Sequence, residues 1–106
     1  MPNDAPFSAT VVDHDGEVRV LVFGELDLAT APILGAAIED AATRGRDRIV
    51  VDLAAAPFID SSGINELVRA THRVDGRATL LVRSPRTQAL HVFGVTGVDQ
   101  FLKIED

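Results

Sequence analysis

Residues 57–65 read Pro57-Phe58-Ile59-Asp60-Ser61-Ser62-Gly63-Ile64-Asn65, and what flanks them decides the fold. Before them stands a nearly unbroken apolar run, Ile49-Val50-Val51-Asp52-Leu53. After them Ile64, Leu67, Val68 and Thr71 return on one side of a helical pattern. A short run that is apolar almost throughout reads as a strand buried on both faces. The 3.6-residue return reads as a helix with one apolar side. Two serines, with an acid before them and a glycine after, therefore sit where a buried strand hands over to a helix.

Working outward, the strand spans Arg48 to Leu53 and the helix runs from about Ser62 to Val74. The last turns of that helix carry Arg69, His72 and Arg73, which suit the negative end of its dipole. Upstream, Phe7 to Val12 alternates loosely and reads as a strand. Asp13-His14-Asp15-Gly16 is a turn, and Val18 to Phe23 is a second strand, so the pair forms an antiparallel hairpin. Between Leu28 and Arg44, residues Leu34, Ala37, Ile38, Ala41 and Ala42 fall at helical spacing. Thr30 is placed as N-cap, Pro32 in the first turn and Gly45 as the stop.

Downstream, Asp75-Gly76 is a turn and Ala78 to Val82 is another buried strand. Ser84-Pro85 has the form of a helix start, Ser at N-cap and Pro at N1. That third helix carries Ala89, Leu90 and Phe93 and is expected to stop at Gly94. A loop over 94–97 and a short strand from Phe101 to Ile104 complete the chain. Strands alternating with helices imply right-handed crossovers. The expected architecture is a single α/β domain over residues 1–106, a mixed, mostly parallel sheet with an N-terminal antiparallel hairpin and crossover helices.

Composition narrows the function classes. The chain has 106 residues, 46% apolar and 25% charged, as an ordinary globular domain has. The absence of cysteine excludes disulfides and zinc–thiolate sites and points to a reducing compartment. No apolar run approaches the roughly 20 residues of a membrane span. Met1-Pro2-Asn3-Asp4-Ala5-Pro6 has neither the basic nor the apolar part of a leader. The expected location is cytoplasmic, with no membrane partner. A net charge of −6, no basic stripe and no Trp or Tyr argue against nucleic acid. Asp47 interrupts the one small cluster of cations, Arg44, Arg46 and Arg48.

The serines admit several roles. A nucleophilic serine needs a base within hydrogen-bond reach. His72 lies eleven residues beyond Ser61 on the same helix, roughly 16 Å away at the helical rise. Nothing in the sequence brings His14 or His91 near. The motif lacks the glycine spacing of a nucleophile elbow, a P-loop or a dinucleotide fingerprint. Asp52, Asp60 and Glu66 have no metal-ligand spacing, so neither a metal nor a cofactor is expected. The simplest role is a helix cap, in which Asp60 or a serine accepts hydrogen bonds from the first turn. Three cap-type residues and a glycine exceed that need. The alternative is a site at the carboxyl end of a strand, where open α/β sheets place function. A phosphate added there would meet the positive end of a helix. It brings about −1.5 to −2 charges to any surface laid over it.

Two segments together carry a resemblance. Gly24-Glu25-Leu26-Asp27-Leu28-Ala29-Thr30-Ala31-Pro32, and Val51-Asp52-Leu53 through Phe58-Ile59-Asp60-Ser61-Ser62-Gly63, resemble in sequence, spacing and element order the STAS domains, specifically the bacterial anti-sigma factor antagonists. The resemblance implies a binding module and not an enzyme. In that family the unphosphorylated antagonist binds an anti-sigma factor that is also a serine kinase, and a sigma factor is released. The kinase phosphorylates the first serine, here Ser61, and binding is lost. A metal-dependent serine phosphatase restores the free form.

The resemblance selects Ser61 over Ser62; sequence physics alone does not separate them. It also implies a partner surface of Glu25, Asp27, Asp60, Ser61, Ser62, Gly63, Asn65 and Glu66, with Asp60 and Glu66 giving it negative charge. Asp27 has a second role open to it, entry into the first helix. Asn65 and Glu66 depart from the small or apolar residues that the family places after the glycine. The family usually adds a fourth helix after the last strand, where this sequence has Asp106. Apolar surface near Ile104 is then expected to be more exposed, and the protein a monomer or weak homodimer. A second reading of the same domain is an interaction module of a signalling scaffold or transporter-associated complex, with no phosphorylation cycle.

Overall fold

The computed structural model describes residues 6–105. Met1 to Ala5, read above for a leader, and Asp106 lie outside them. The chain runs β1 (Ser8–His14), β2 (Glu17–Phe23), α1 (Ala31–Ala42), β3 (Arg48–Ala55), α2 (Ser61–Val74), β4 (Thr79–Arg83), α3 (Thr87–Thr96), a 3₁₀ turn (Val98–Gln100) and β5 (Lys103–Glu105). The sheet order is β1-β2-β3-β4-β5. β1 is antiparallel to β2 at one edge, and the remaining pairs are parallel. This is the mixed, mostly parallel sheet expected from the element order.

Sequential parallel strands joined by right-handed crossovers place every crossover helix on one face. The core lies there: Val18, Val20, Val22, Ile49, Val51, Leu53, Leu80 and Val82 alternate along their strands against Leu34, Ile38, Ile64, Leu67 and Phe93 from the helices. α1 and α2 approach closely because position 35 is glycine. A side chain at Gly35 would fall on the carboxylate of Glu66. That carboxylate is largely buried and bonds Arg73 Nη2 at 2.8 Å, and Arg73 and Arg77 reach on to Glu39 of α1 at 4.0 and 3.2 Å.

The opposite face of the sheet carries charge instead of helices. Arg83 bonds Glu17 at 3.0 Å and Glu105 at 2.8 Å. Arg19 bonds Glu17 at 2.8 Å, and Arg48 reaches Glu105 at 3.2 Å. The lattice ties β2, β3, β4 and β5 together. Val50 and Leu81 point to this face yet are buried; they lie side by side in register, with Arg19 next to Val50 on β2.

One cap and three boundaries differ from expectation. α1 starts at Ala31, with Thr30 at the N-cap position but no cap from its side chain. Asp27 instead fixes the turn ahead of the helix, its Oδ1 accepting from the N–H groups of Ala29 and Thr30 and its carbonyl from Ala31 N–H. α3 starts at Thr87, not at Ser84-Pro85. Ser84 adopts φ 55° and donates its N–H to the carbonyl of Glu105 at 2.9 Å, so it prolongs the β4–β5 ladder and turns the chain out of the sheet. Gly94 does not stop α3. It is an exposed interior glycine, tolerated at about 1 kcal/mol, and the helix ends at Gly97, whose φ of 77° is the left-handed cap. The last strand begins at Lys103, which leaves Phe101 in a turn and exposed.

Glu17 is held below the usual carboxylate range, first by its hydrogen bond to Arg19 and then by Arg83. Glu105 is lowered chiefly by its hydrogen bond to Arg83 and then by Arg48. A carboxylate with a depressed folded pKa stabilises fully above its unfolded value, about 4.3, and loses that contribution as pH falls through the folded value. The melting temperature should therefore fall steeply below about pH 4.5. Arg83→Met should melt lower at neutral pH and lose less on acidification; an unchanged acid limb would remove the lattice from the account. Gly35→Ala should cost about 1–3 kcal/mol by overpacking against Glu66, measured by urea unfolding.

Candidate functional site

The β2–β3 pairing does not end with the strands. Gly24 N–H donates to the carbonyl of Ala55, Leu26 N–H to Phe58, and Asp60 N–H to Leu26, at 3.0, 2.9 and 3.0 Å. Leu26 and Ile59 form a parallel bridge. The loop holding Glu25 and Asp27 is thereby fastened beside the loop holding Asp60, Ser61 and Ser62.

α2 rises directly from this bridge. Asp60 is its N-cap, extended in backbone, with Oδ1 accepting from Ser62 N–H at 2.9 Å and Gly63 N–H at 3.2 Å. Gly63 is required by proximity. A Cβ there would come within 2.7 Å of Leu26 Cγ and 2.9 Å of Ile59 Cγ1. The first turn of α2 thus rests on the two residues that join the loops.

A further clamp comes from α3. Gln88 Oε1 accepts from Ile59 N–H at 2.9 Å, and its Nε2 donates to the Ile59 carbonyl at 3.0 Å. The side-chain amide thus satisfies both polar groups of the residue two before Ser61. Sequence reading missed Gln88. The only signal was a polar residue in the first turn of a helix that leaves the same edge of the sheet.

Ser61 is the first residue of α2 and is exposed, whereas Ser62 is half-buried. Among the described residues neither hydroxyl makes a hydrogen bond, so the cap belongs to Asp60 alone. Glu25 is exposed and Asn65 is exposed one turn along α2. Asp27 is half-buried; its Oδ1 also accepts from the Thr30 hydroxyl at 3.1 Å, which fixes the loop. Phe58 and Leu28 are 40% and 76% exposed on the two loops.

Glu66 does not join this surface. It turns toward α1 and pairs with Arg73 at 2.8 Å, so its charge is met inside the fold. That corrects the expectation that Asp60 and Glu66 together charge the neighbourhood. Gly63 is likewise buried and offers a partner no side chain.

The chemistry of the site is that of a displayed hydroxyl at a helix N-terminus. Among the described residues no histidine pairs with either serine, and no group of three or more His, Cys, Asp or Glu could hold a metal. No described helix is long and apolar enough to cross a membrane. Arg44, Arg46 and Arg48 face Asp13, Asp40, Glu17 and Glu105, so the one basic cluster is occupied by acids.

Comparison with known proteins is consistent with this geometry. Residues 9–104 match the family described as "Mlab, STAS domain". The anti-sigma-F factor antagonist RsfB of Mycobacterium tuberculosis is 33% identical over 67 residues, 63% of this chain and 55% of RsfB. The match thus spans little more than half of that relative. The crystal structure of an anti-sigma factor antagonist from Mycobacterium paratuberculosis superposes with TM-score 0.86 at 28% identity, over 99% of this chain and 90% of that one. The Bacillus cell fate determinant SpoIIAA in its phosphorylated form shares the fold, with TM-score 0.64 at 22% identity over 93% of this chain and 90% of that one. The hairpin, the five-stranded sheet and the helix that starts at Ser61 are those of one family, and this chain belongs to the STAS domains.

Proposed function

We propose that this protein is an anti-sigma factor antagonist, a binding protein of the cytoplasm, switched by phosphorylation at Ser61. The observation that carries this is the state of that hydroxyl. It is exposed, free of hydrogen bonds among the described residues, and placed at the head of a helix whose cap does not use it. The mycobacterial relatives, named as anti-sigma factor antagonists, supply the class of partner.

In the unphosphorylated form the surface around Ser61 binds an anti-sigma factor that is also a serine kinase. Phe58 and Leu28 give it apolar contact, and Glu25, Asp27, Asp60 and Asn65 give it polar contact. The kinase transfers the γ-phosphoryl group of magnesium-bound ATP to Ser61 Oγ. One O–P bond forms at Oγ, the bond from the γ-phosphorus to its bridging oxygen breaks, ADP leaves, and the hydroxyl proton passes to a base on the kinase. A metal-dependent serine phosphatase reverses the state by directing water onto the phosphorus, with Ser61 Oγ as leaving group.

The direction of the switch follows from electrostatics. The phosphate brings about −1.5 to −2 charges. The helix N-terminus tolerates it locally, so the fold need not change. At the centre of an interface the same charge has to be desolvated or faces like charge, since Asp60 adjoins it. Each 1.4 kcal/mol of that penalty is tenfold in affinity. Ser61 is favoured over Ser62 as acceptor because Ser62 is half-buried and its N–H is tied to Asp60.

Incubation with candidate anti-sigma factor kinases from the source organism and ATP tests this, with intact mass and peptide mapping as the readout. An 80 Da addition on Ser61 is expected, an increment set by the one phosphoryl group of about −2 charge. Ser61→Ala should take up no phosphate and still bind. Ser61→Asp should bind at least about tenfold more weakly with an unchanged circular dichroism spectrum. Labelling retained in Ser61→Ala would move the acceptor to Ser62 or elsewhere. No labelling by any kinase would favour the scaffold or transporter-associated alternative.

A further inference from the structure

Ser61 heads a stripe along the outer side of α2. Asn65, Arg69 and His72 follow it at four-, four- and three-residue steps, and all are exposed. Beside the stripe lies an open groove of about 490 Å³. Asn65, Val68 and Arg69 form one wall and Val98 and Phe101, from the 3₁₀ turn and the residue after it, form the other. The groove continues along α2 into a second hollow of about 460 Å³ lined by Val68, Arg69, His72 and Arg73.

Two properties set this groove apart. Its floor is apolar, and Phe101 is 66% exposed although an aromatic ring of that size gains most from burial. Its rim is cationic in a chain of net charge −6, and no carboxylate lines either hollow. Arg73 is held by Glu66 and Glu39. Arg69 is not held in the same way: its side chain is 69% exposed and stands 3.8 Å from Glu66, beyond hydrogen-bond distance.

We propose that this groove receives an acidic amphipathic helix of the same partner that meets Ser61, an inference that rests on the switch described above. From Asn65 to Arg73 the α2 wall is roughly 12 Å long, room for about two turns of an incoming helix. The apolar side of such a helix would cover Val68, Val98 and Phe101, in the helix-in-groove mode. Its carboxylates would face Arg69 and His72. The unbroken stripe from Ser61 makes the switch and the groove parts of one footprint. The charge sets the choice of partner: a basic helix is repelled at the groove, and an acidic segment laid over phosphorylated Ser61 is repelled at the switch. Phosphorylation then acts against a partner selected for its negative charge.

The test uses the full chain and the kinase found by the labelling experiment. Binding is measured by calorimetry, and Ser61 phosphorylation kinetics are measured in parallel. Arg69→Glu and Phe101→Ser should each weaken binding about tenfold and raise KM for phosphorylation, with kcat and the melting temperature unchanged. Arg69→Lys should recover most of the affinity. Salt should weaken the wild type more than Arg69→Glu. If both groove variants bind like the wild type while Ser61→Asp is released, the groove proposal is overturned and the switch stands. If the wild type neither binds nor is labelled, both fall. If sedimentation shows a homodimer that Phe101→Ser dissolves, the groove belongs to a second copy and the proposal is overturned.

Discussion

The pairing of Leu26 with Ile59 is the contact on which the rest of the site depends. Beyond the ends of β2 and β3 the two backbones still exchange hydrogen bonds, Leu26 N–H to Phe58 and Asp60 N–H to Leu26. A loop that leaves a sheet normally gains freedom. Here the two loops stay in register with each other, and α2 begins immediately after the pairing ends. Gly63 then lets the helix settle onto Leu26 and Ile59, since any Cβ would collide with both side chains. Gln88 closes the arrangement from the far side by satisfying both polar groups of Ile59. Three segments distant in sequence thus converge on the Leu26–Ile59 bridge, and Ser61 is displayed from it.

The two faces of the sheet have divided their tasks. The helix-covered face holds the apolar core and fixes where α2 points. The Gly35 contact lets Glu66 and Arg73 sit between α1 and α2. A buried carboxylate with a partner at 2.8 Å is expensive to disturb, because removing one member strands the other. The other face holds its strands together laterally, through Arg83 between Glu17 and Glu105. Neither device touches Ser61. A change of charge at Ser61 would therefore withdraw nothing that the fold relies on.

Much of this was legible in the sequence, and the failures are informative. The buried strand before Ser61, the amphipathic helix after it and the hairpin at the N-terminus follow from local periodicity. A cap at Asp60 or one of the serines follows from residue type, the choice of Asp60 coming from the structure, and the resemblance to the STAS domains follows from two short segments taken together. What local rules missed were tertiary choices. Ser84-Pro85 has the form of a helix start, but Ser84 N–H is taken by Glu105, a strand partner twenty-one residues away. Gly94 and Gly97 are alike in sequence, and only the second adopts the left-handed conformation that ends a helix. Glu66 looked like part of the acidic surface because it follows the serines closely. Its place on the wheel of α2 turns it toward Gly35, which is a fact about α1. Gln88 was invisible for the same reason: its task is set by a residue twenty-nine positions earlier.

These observations bear on how such a switch can be sharp. A modification that had to unfold a cap or break a core contact would spend part of its effect on the protein that carries it. The Ser61 hydroxyl caps nothing and bonds to nothing among the described residues, so the electrostatic effect of a phosphate would fall on whatever covers it. The rigid bridge beneath it matters for the same reason. A loop free to swing aside would let the partner avoid the charge, and the energetic difference between the two states would shrink. With Leu26, Ile59, Gly63 and Gln88 fastening the backbone beneath Ser61, a phosphate there would have nowhere to retreat, and a partner laid over it would have to meet it or leave.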